Sequence, residues 1–291
     1  MTPAANTRGE AAAPASREFP FDADHFRVIS DRIYAFSGIR LPVEKREMVY
    51  ARLSRRLRSL GIGSFDDYVR YLELEPAEWE HCTNALTTNV TAFYREEHHF
   101  ETLAGYARSH AGGGPLRVWS AGCSTGEEPY TIAACLAETL GAAAPFEVLA
   151  TDLDTQVLAT AREAVYPLQS VAKLPPERQK RFFLRGTGRF EGKARVRREI
   201  ASHVEFRRVN LMDREWPVTA GLDAIFCRNV MIYFDKPTQA RLIERFAALV
   251  KPRGLFFAGH AESLLDNGRY FRLKGQTVYE LVAPGIRGAR P

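Results

Sequence analysis

Cysteine is scarce, and the four that occur, Cys82, Cys123, Cys135 and Cys227, form no CxxC pair. No histidine-rich spacing accompanies them. That argues against a structural zinc ribbon or a disulfide framework, and it fits reduced thiols in a cytoplasmic protein with no metal. Long apolar runs are absent too: nothing approaches the roughly 20 residues of a membrane span, so no direct membrane insertion is expected. The first sixteen residues are alanine, proline and polar groups without an apolar h-region. A signal peptide is not expected there, and residues 1–18 read as a disordered tail. A short basic tail over 285–291 is the corresponding expectation at the other end. No aromatic stacking platform or RNA-binding module is recognisable. The net charge of +5 admits an acidic partner without saying which kind.

What is present divides in two at Ala111-Gly112-Gly113-Gly114-Pro115, a breaker that reads as a domain junction. Upstream, the spacing is helical. Phe26, Ile29, Ile33 and Phe36 predict one helix, stopped by Gly38. Val49, Leu53, Leu57 and Leu60 predict a second over about 43–60, stopped by Gly61. A third is expected after Ser64 and a fourth over about 76–86. Together they predict a small all-helical domain over 19–103. On the second helix Lys45, Arg52 and Arg56 fall on one stripe, with Arg55 and Arg58 further round, and Glu47 is the only carboxylate between Lys45 and Arg58. Such a stripe is either a solvated face or a docking face for acidic helices or phosphates. The segment Asn89-Val90-Thr91-Ala92-Phe93-Tyr94-Arg95 is expected to open another helix near Thr91, which would place Thr91 and Arg95 one turn apart on one face. His98 and His99 are adjacent, point apart on a helix, and do not by themselves suggest a metal site.

Downstream, strands and helices alternate. Strands are expected at about 116–120, 146–151, 204–209, 222–227, 254–258 and 277–282, and helices at about 129–140, 155–164 and 237–250, with Asp154 capping the second. This order predicts an α/β domain over 104–284 with a mostly parallel, Rossmann-like sheet, whose ligand sits at the carboxyl ends of the strands. Residues 166–202 interrupt the alternation. Their basic-apolar run Lys193-Ala194-Arg195-Val196-Arg197 predicts a small antiparallel insert, placed at about 172–203, with one basic face. That insert is either a solvated hairpin or a site where an extended peptide adds as a strand, its carboxylates gripped by arginines.

The central turn is Gly122-Cys123-Ser124-Thr125-Gly126-Glu127-Glu128. It fits G-x-S-x-G, a nucleophile elbow, with Ser124, Asp223 and His260 in hydrolase order. Against that stand the helical upstream region and the lack of an HGGG-like segment. The alternative is a nucleotide cofactor close to Gly122. Asp152 ends the second strand, where a carboxylate suits ribose hydroxyls. Glu127 and Glu128 at the helix start would repel phosphates yet accept hydrogen bonds from an amino group. An adenosine cofactor with a cationic centre fits best, namely S-adenosylmethionine. Asn210 is placed to meet adenine, and Arg228 and Asn229 to line the amino-acid end, all at carboxyl ends of strands.

Taken together, residues 89–95 with Phe100, 119–132, 151–161, 185–188, 206–211, 223–234 and 254–262 resemble the CheR family, the chemotaxis-receptor glutamate methyltransferases. The resemblance implies an N-terminal helical domain, a methyltransferase sheet that binds S-adenosylmethionine, and an inserted β-subdomain. It implies cofactor contacts for Asn89, Thr91, Arg95, Glu127, Asp152, Asn210, Leu211, Arg228 and Asn229, and a reaction-centre role for Arg95 and Tyr233. Chemoreceptor cytoplasmic helices would be the partner. The stripe of Arg52, Arg55 and Arg56 would be a docking face, and the insert, with Arg189, Arg195 and Arg197, would hold a receptor's C-terminal peptide. Tyr94 stands where many members have phenylalanine. An RNA methyltransferase and a non-catalytic receptor-binding module are the alternatives. The first lacks an RNA module, and the second would be favoured by loss of Arg95, Glu127 or Asp152, all of which are present.

Overall fold

Four helices come first, as the apolar spacing requires. In the computed structural model, which describes residues 17–262 and 269–282, they are α1 (Ala23–Ser37), α2 (Arg46–Leu60), α3 (Phe65–Leu74) and α4 (Glu78–Leu86). Ile29, Ile33, Val49, Leu53, Leu57, Phe65 and Tyr68 bury themselves in one cluster. Gly38 and Gly61 close α1 and α2 at φ 71° and 68°, left-handed values that suit glycine. The tails expected at 1–18 and 285–291 lie outside the described residues, except that Arg17 and Glu18 pair with Glu47 and Arg58.

The helix expected near Thr91 starts only at His98. Residues 93–97 form a turn leading into α5 (His98–Ser109), with Tyr94 and Glu96 at φ 54° and 58°. Thr91 therefore caps no helix and shares no helical face with Arg95. The cause is tertiary. Phe93 is drawn edge-on against Tyr166 and Phe183, and Tyr94 against Phe100. Burying these adjacent rings in different places outweighs helix propensity.

The second domain runs β1 (Leu116–Ala121), α6 (Glu127–Leu140), β2 (Phe146–Asp152) and α7 (Thr155–Glu163). The insert follows: β3 (Val165–Pro167), α8 (Leu168–Val171), α9 (Pro176–Phe182), β4 (Phe183–Arg185), β5 (Lys193–Val196) and α10 (Arg198–Ala201). Then come β6 (Val204–Arg208), β7 (Leu222–Cys227), α11 (Lys236–Leu249), β8 (Val250–Ala258), β9 (Phe271–Gly275) and β10 (Val278–Leu281). The main sheet has the order β6-β2-β1-β7-β8-β10-β9. Its first five strands are parallel, and β10 and β9 are antiparallel. The order reverses at β1, so the crevice beyond β1, β2 and β7 is the switch point where such sheets bind ligands. Asp154 caps α7 by accepting from the N–H groups of Gln156 and Val157, as expected.

One strand escaped the sequence reading, and the start of the expected insert moved. β9 has one buried residue, Phe271, followed by four exposed ones, so no apolar alternation marks it. The inserted sheet, of order β3-β5-β4, begins at Val165 rather than about 172, because Tyr166 is buried and pairs with Ala194. On β5 the alternation holds: Lys193 and Arg195 are exposed, Ala194 and Val196 buried.

The helical domain is fastened to the sheet domain on two sides. On one, Asn210 Nδ2 donates to Phe36 O at 2.6 Å, the Tyr34 hydroxyl donates to Asp235 at 2.5 Å, and Arg40 N donates to Tyr233 O at 2.9 Å. On the other, the Thr87 hydroxyl donates to Asp154 at 2.8 Å and Thr155 to Glu80 at 2.7 Å. Between these seams lies a cleft.

Candidate functional site

The cleft has a volume of about 440 Å³, inside the roughly 300–1,000 Å³ typical of small-molecule sites. Its floor is the turn after β1. Gly122 has φ 86°, and a Cβ there would meet Val230 Cγ2 at 2.4 Å, so both conformation and packing require glycine. Ser124 occupies a left-handed φ of 50°. Its N–H donates to Asp152 Oδ2 at 2.8 Å and its hydroxyl to Asn89 O at 3.1 Å. Asp223 lies at the amino end of β7 and is bound by Lys251 and Tyr106, the opposite end of the strand from the cleft. Ser124, His260 and Asp223 therefore form no triad.

The acids sort themselves by direction. Glu128 lines the cleft. It accepts from Ser120 Oγ at 2.7 Å and from Arg228 Nη1 at 3.2 Å. Burial pushes its carboxyl up, against the pull of Arg228. Glu127, the acid expected to touch the cofactor, does not line the cleft. It accepts from the Thr125 hydroxyl at 2.6 Å and lies toward Tyr166 of the insert, whose phenol is raised by burial, reinforced by the Glu127 charge. Consecutive residues in a first helical turn point about 100° apart, so Glu128 and not Glu127 faces the cleft. Asp152 holds the expected place: its carboxylate accepts from Ser124 N and from Asp154 N at 3.0 Å, and burial raises it to about 6. The two bonds go to different oxygens, Oδ2 and Oδ1, and Asp152 itself lines the cleft.

Asn89, Thr91, Arg95, Asn210, Leu211, Arg228, Asn229 and Tyr233 all line the same cleft, as do Ser37, Arg40 and Lys45 from the helical domain. Not every head group is free. Asn210 spends its amide on Phe36 O and on Met212 N. Arg228, 5% exposed, joins Glu128 and Glu96 and donates to Arg95 O, so it is a buried strut within the cleft wall. Arg95 Nη1 donates to Val90 O at 3.0 Å, and Arg95 makes no ion pair among the described residues. Val90 and Ile232, 77% and 50% exposed, are aliphatic lips of the opening.

Glu262 was not anticipated. Its buried carboxylate accepts from the N–H groups of Asn229 at 2.9 Å, Ile232 at 3.2 Å and Gly259 at 2.5 Å, fixing the loop that carries Asn229 and Tyr233. Only its place just beyond an apolar strand hinted at burial. Glu96, His98 and His99 bring ligand-type atoms within 4.8 Å of one another. Both imidazole Nε2 atoms, however, approach Gln276 O at 3.1 and 3.2 Å, and Arg228 lies 3.4 Å from Glu96. Burial, reinforced by Arg228, depresses His99 to about 4. The group ties α5 to the β9–β10 turn.

Of the expected docking arginines, two are committed inside the fold. Arg52 donates to Ala85 O and Thr87 O at 3.2 and 2.5 Å, and Arg56 makes a two-point contact at 2.8 and 2.6 Å with the buried Glu78. Arg55 is exposed. In the insert, Arg189 and Arg195 are exposed, whereas Arg197 donates to Lys180 O at 3.2 and 3.1 Å.

The residues fit S-adenosylmethionine. The cleft offers two shielded carboxylates, no phosphate cradle, and a glycine where backbone must come close. Comparison with known proteins agrees. A family model for the CheR methyltransferase SAM-binding domain matches residues 89–280, and one for the CheR methyltransferase all-alpha domain matches residues 24–87. Chemotaxis protein methyltransferase 2 of Pseudomonas aeruginosa is 52% identical over 269 residues, covering 91% of this chain and 95% of that protein. The chemotaxis protein methyltransferases of Salmonella typhimurium and Escherichia coli are 53% and 52% identical over 260 residues, covering 88% of this chain and 90% of each relative. Among solved structures, magnesium protoporphyrin IX methyltransferase from Synechocystis with bound SAM is 17% identical at TM-score 0.36, covering 64% of this chain and 77% of that chain, a likeness too distant to argue from.

Proposed function

The chain belongs to the CheR methyltransferase family, with S-adenosylmethionine as its cofactor, and on that premise we propose that it methylates glutamate side chains of chemoreceptors. Bound in the cleft, S-adenosylmethionine supplies a methyl on a sulfonium sulfur, whose transfer to a carboxylate oxygen gives a glutamate 5-O-methyl ester and S-adenosylhomocysteine.

The observation that carries this reading is the convergence of Arg95 and Tyr233 on the cleft from outside the Gly122 turn, with Glu128 and Asp152 on its floor. A glutamate of ordinary pKa, about 4.3, is already ionised at neutral pH, so no general base is required. The chain's work is orientation, worth up to about 7–11 kcal/mol in well-organised systems. Arg95 keeps N–H groups beyond the one on Val90 O and holds one acceptor oxygen off-line, leaving the other to react. A bidentate grip would reduce its nucleophilicity. Tyr233, fixed through its backbone by Arg40, lines the acceptor's path.

The partner surfaces follow from charge and exposure. Arg55 meets the acidic receptor helix, and Val90 and Ile232 seat the apolar side chains beside the acceptor. In the insert, β5 is central, so β3 and β4 are the free edges. We assign the β4 edge, with exposed Leu184, the following turn of Arg189 and Phe190, and Arg195 beside Leu184 on β5, to an extended acidic receptor tail that adds as a strand. The test of the function is transfer of labelled methyl from S-adenosylmethionine to a chemoreceptor cytoplasmic fragment. Absence of transfer, with cofactor bound, would support a non-catalytic binding module instead.

A further inference from the structure

The turn that presents Arg95 is held by the insert as well as by the sheet. Arg95 sits between Tyr94 and Glu96, both in left-handed conformations at φ 54° and 58°. Non-glycine residues held this way are strained and persist only where surrounding contacts over-determine them. Three of the holding contacts come from the insert. Arg178, on α9, lies 4.1 Å over the Tyr94 ring, pairs with Glu97 at 2.7 Å, and is braced on Glu138 of α6 at 3.3 Å. Phe93 is gripped edge-on by Tyr166 of β3 and Phe183 of β4, each with ring centroids 5.0 Å away. From the sheet side, Arg228 caps the carbonyl of Arg95 itself, and Thr131 Oγ1 accepts from Tyr94 N. Every residue from Phe93 to Glu97 thus has a side-chain or backbone partner that fixes it, Glu96 through Arg228 and the His260 N–H, and three of those partners belong to the insert.

We propose that Arg178 is a positioning residue for Arg95, so that the inserted β-subdomain is part of the machinery that aligns the acceptor carboxylate and does more than tether a receptor. The inference rests on the role given above to Arg95. The geometry suits arginine in particular. A planar guanidinium stacks on the Tyr94 ring while its edge donates to two carboxylates, a combination lysine cannot reproduce. Arg178 has no atom in the cofactor cleft, so its effect should appear in turnover and not in cofactor binding.

The test uses the full chain, S-adenosylmethionine and a receptor cytoplasmic fragment. Arg178→Met is expected to lower kcat by about ten- to a hundredfold, the cost of misplacing a reacting partner by an ångström or so, with S-adenosylmethionine Kd and receptor KM unchanged. Arg178→Lys is expected to recover only part of the loss. In an Arg95→Lys background, whose residual activity no longer depends on guanidinium placement, Arg178→Met should cost little further; this non-additivity marks action through Arg95. An unchanged kcat in Arg178→Met, an equal fold-loss in both backgrounds, or a parallel fall in cofactor affinity would overturn the proposal. If the wild-type chain transfers no methyl to the fragment, it is the methyltransferase reading that fails, and the two failures are told apart by that control.

Discussion

Arg228 donates one Nη group to Glu128 at 3.2 Å and the other to the backbone carbonyl of Arg95. An acid of the cleft floor and the turn that carries Arg95 therefore share one buried guanidinium. Removing either carboxylate at the head of α6 should separate their roles. Glu128→Gln is expected to weaken S-adenosylmethionine binding about ten- to a hundredfold, the range for losing a charge-assisted hydrogen bond. Glu127→Gln should leave it within about twofold. Calorimetric titration of the two variants checks this, and a larger loss in Glu127→Gln would restore the sequence-based assignment.

Asp152 gives a pH signature. Burial raises its carboxyl to about 6, above the unfolded value of about 3.9. A carboxyl raised in the folded state destabilises the fold once ionised. That cost is absent below about pH 4 and complete above pH 6, so this group makes the free protein more stable on acidification through 6. Cofactor affinity runs the other way if ribose hydroxyls need the ionised form. S-adenosylmethionine Kd should rise by about tenfold per pH unit below 6 and be flat above it. Asp152→Asn should bind weakly with no step at pH 6.

The helical domain separates docking from stability. Arg56→Met leaves the buried Glu78 without its two-point partner, and is expected to cost about 1.5–3 kcal/mol of stability, seen as a lower thermal midpoint. Arg55→Ala should leave the midpoint alone, raise receptor KM, and reduce the dependence of KM on salt. An Arg55→Ala enzyme with wild-type KM at low salt would remove α2 from the docking surface.

Arg95 should prove an acceptor residue first. In Arg95→Ala, turnover is expected to fall by at least about a hundredfold, with a much smaller change in S-adenosylmethionine Kd. Weakened cofactor binding at unchanged turnover would make it a cofactor contact only.

Much of this was legible in the sequence, for identifiable reasons. Strand ends carry the cleft, so Asp152, Asn210, Arg228 and Asn229 followed from the alternation of elements. The glycine stops after α1 and α2 followed from the apolar stripes. What escaped was decided by packing. Phe93 and Tyr94 bury in different directions and unwind the helix expected at Thr91. Glu127 and Glu128 are indistinguishable until the helix start is oriented against β1. Arg52 and Arg56 look like a free basic face because their partners, the carbonyls of Ala85 and Thr87 and the carboxylate of Glu78, lie more than twenty residues away. Glu262 reaches back 33 residues to Asn229, and no local pattern records that contact.

The central claim is that the acceptor is a glutamate carboxylate. The most direct measurement is the alkaline stability of the label on a receptor cytoplasmic fragment after reaction with labelled S-adenosylmethionine, with the modified residues mapped by mass spectrometry. The expected result is label released as methanol at alkaline pH and mapped to glutamate side chains. Base-stable label, or label on lysine, arginine or nucleic acid in place of glutamate, would contradict it.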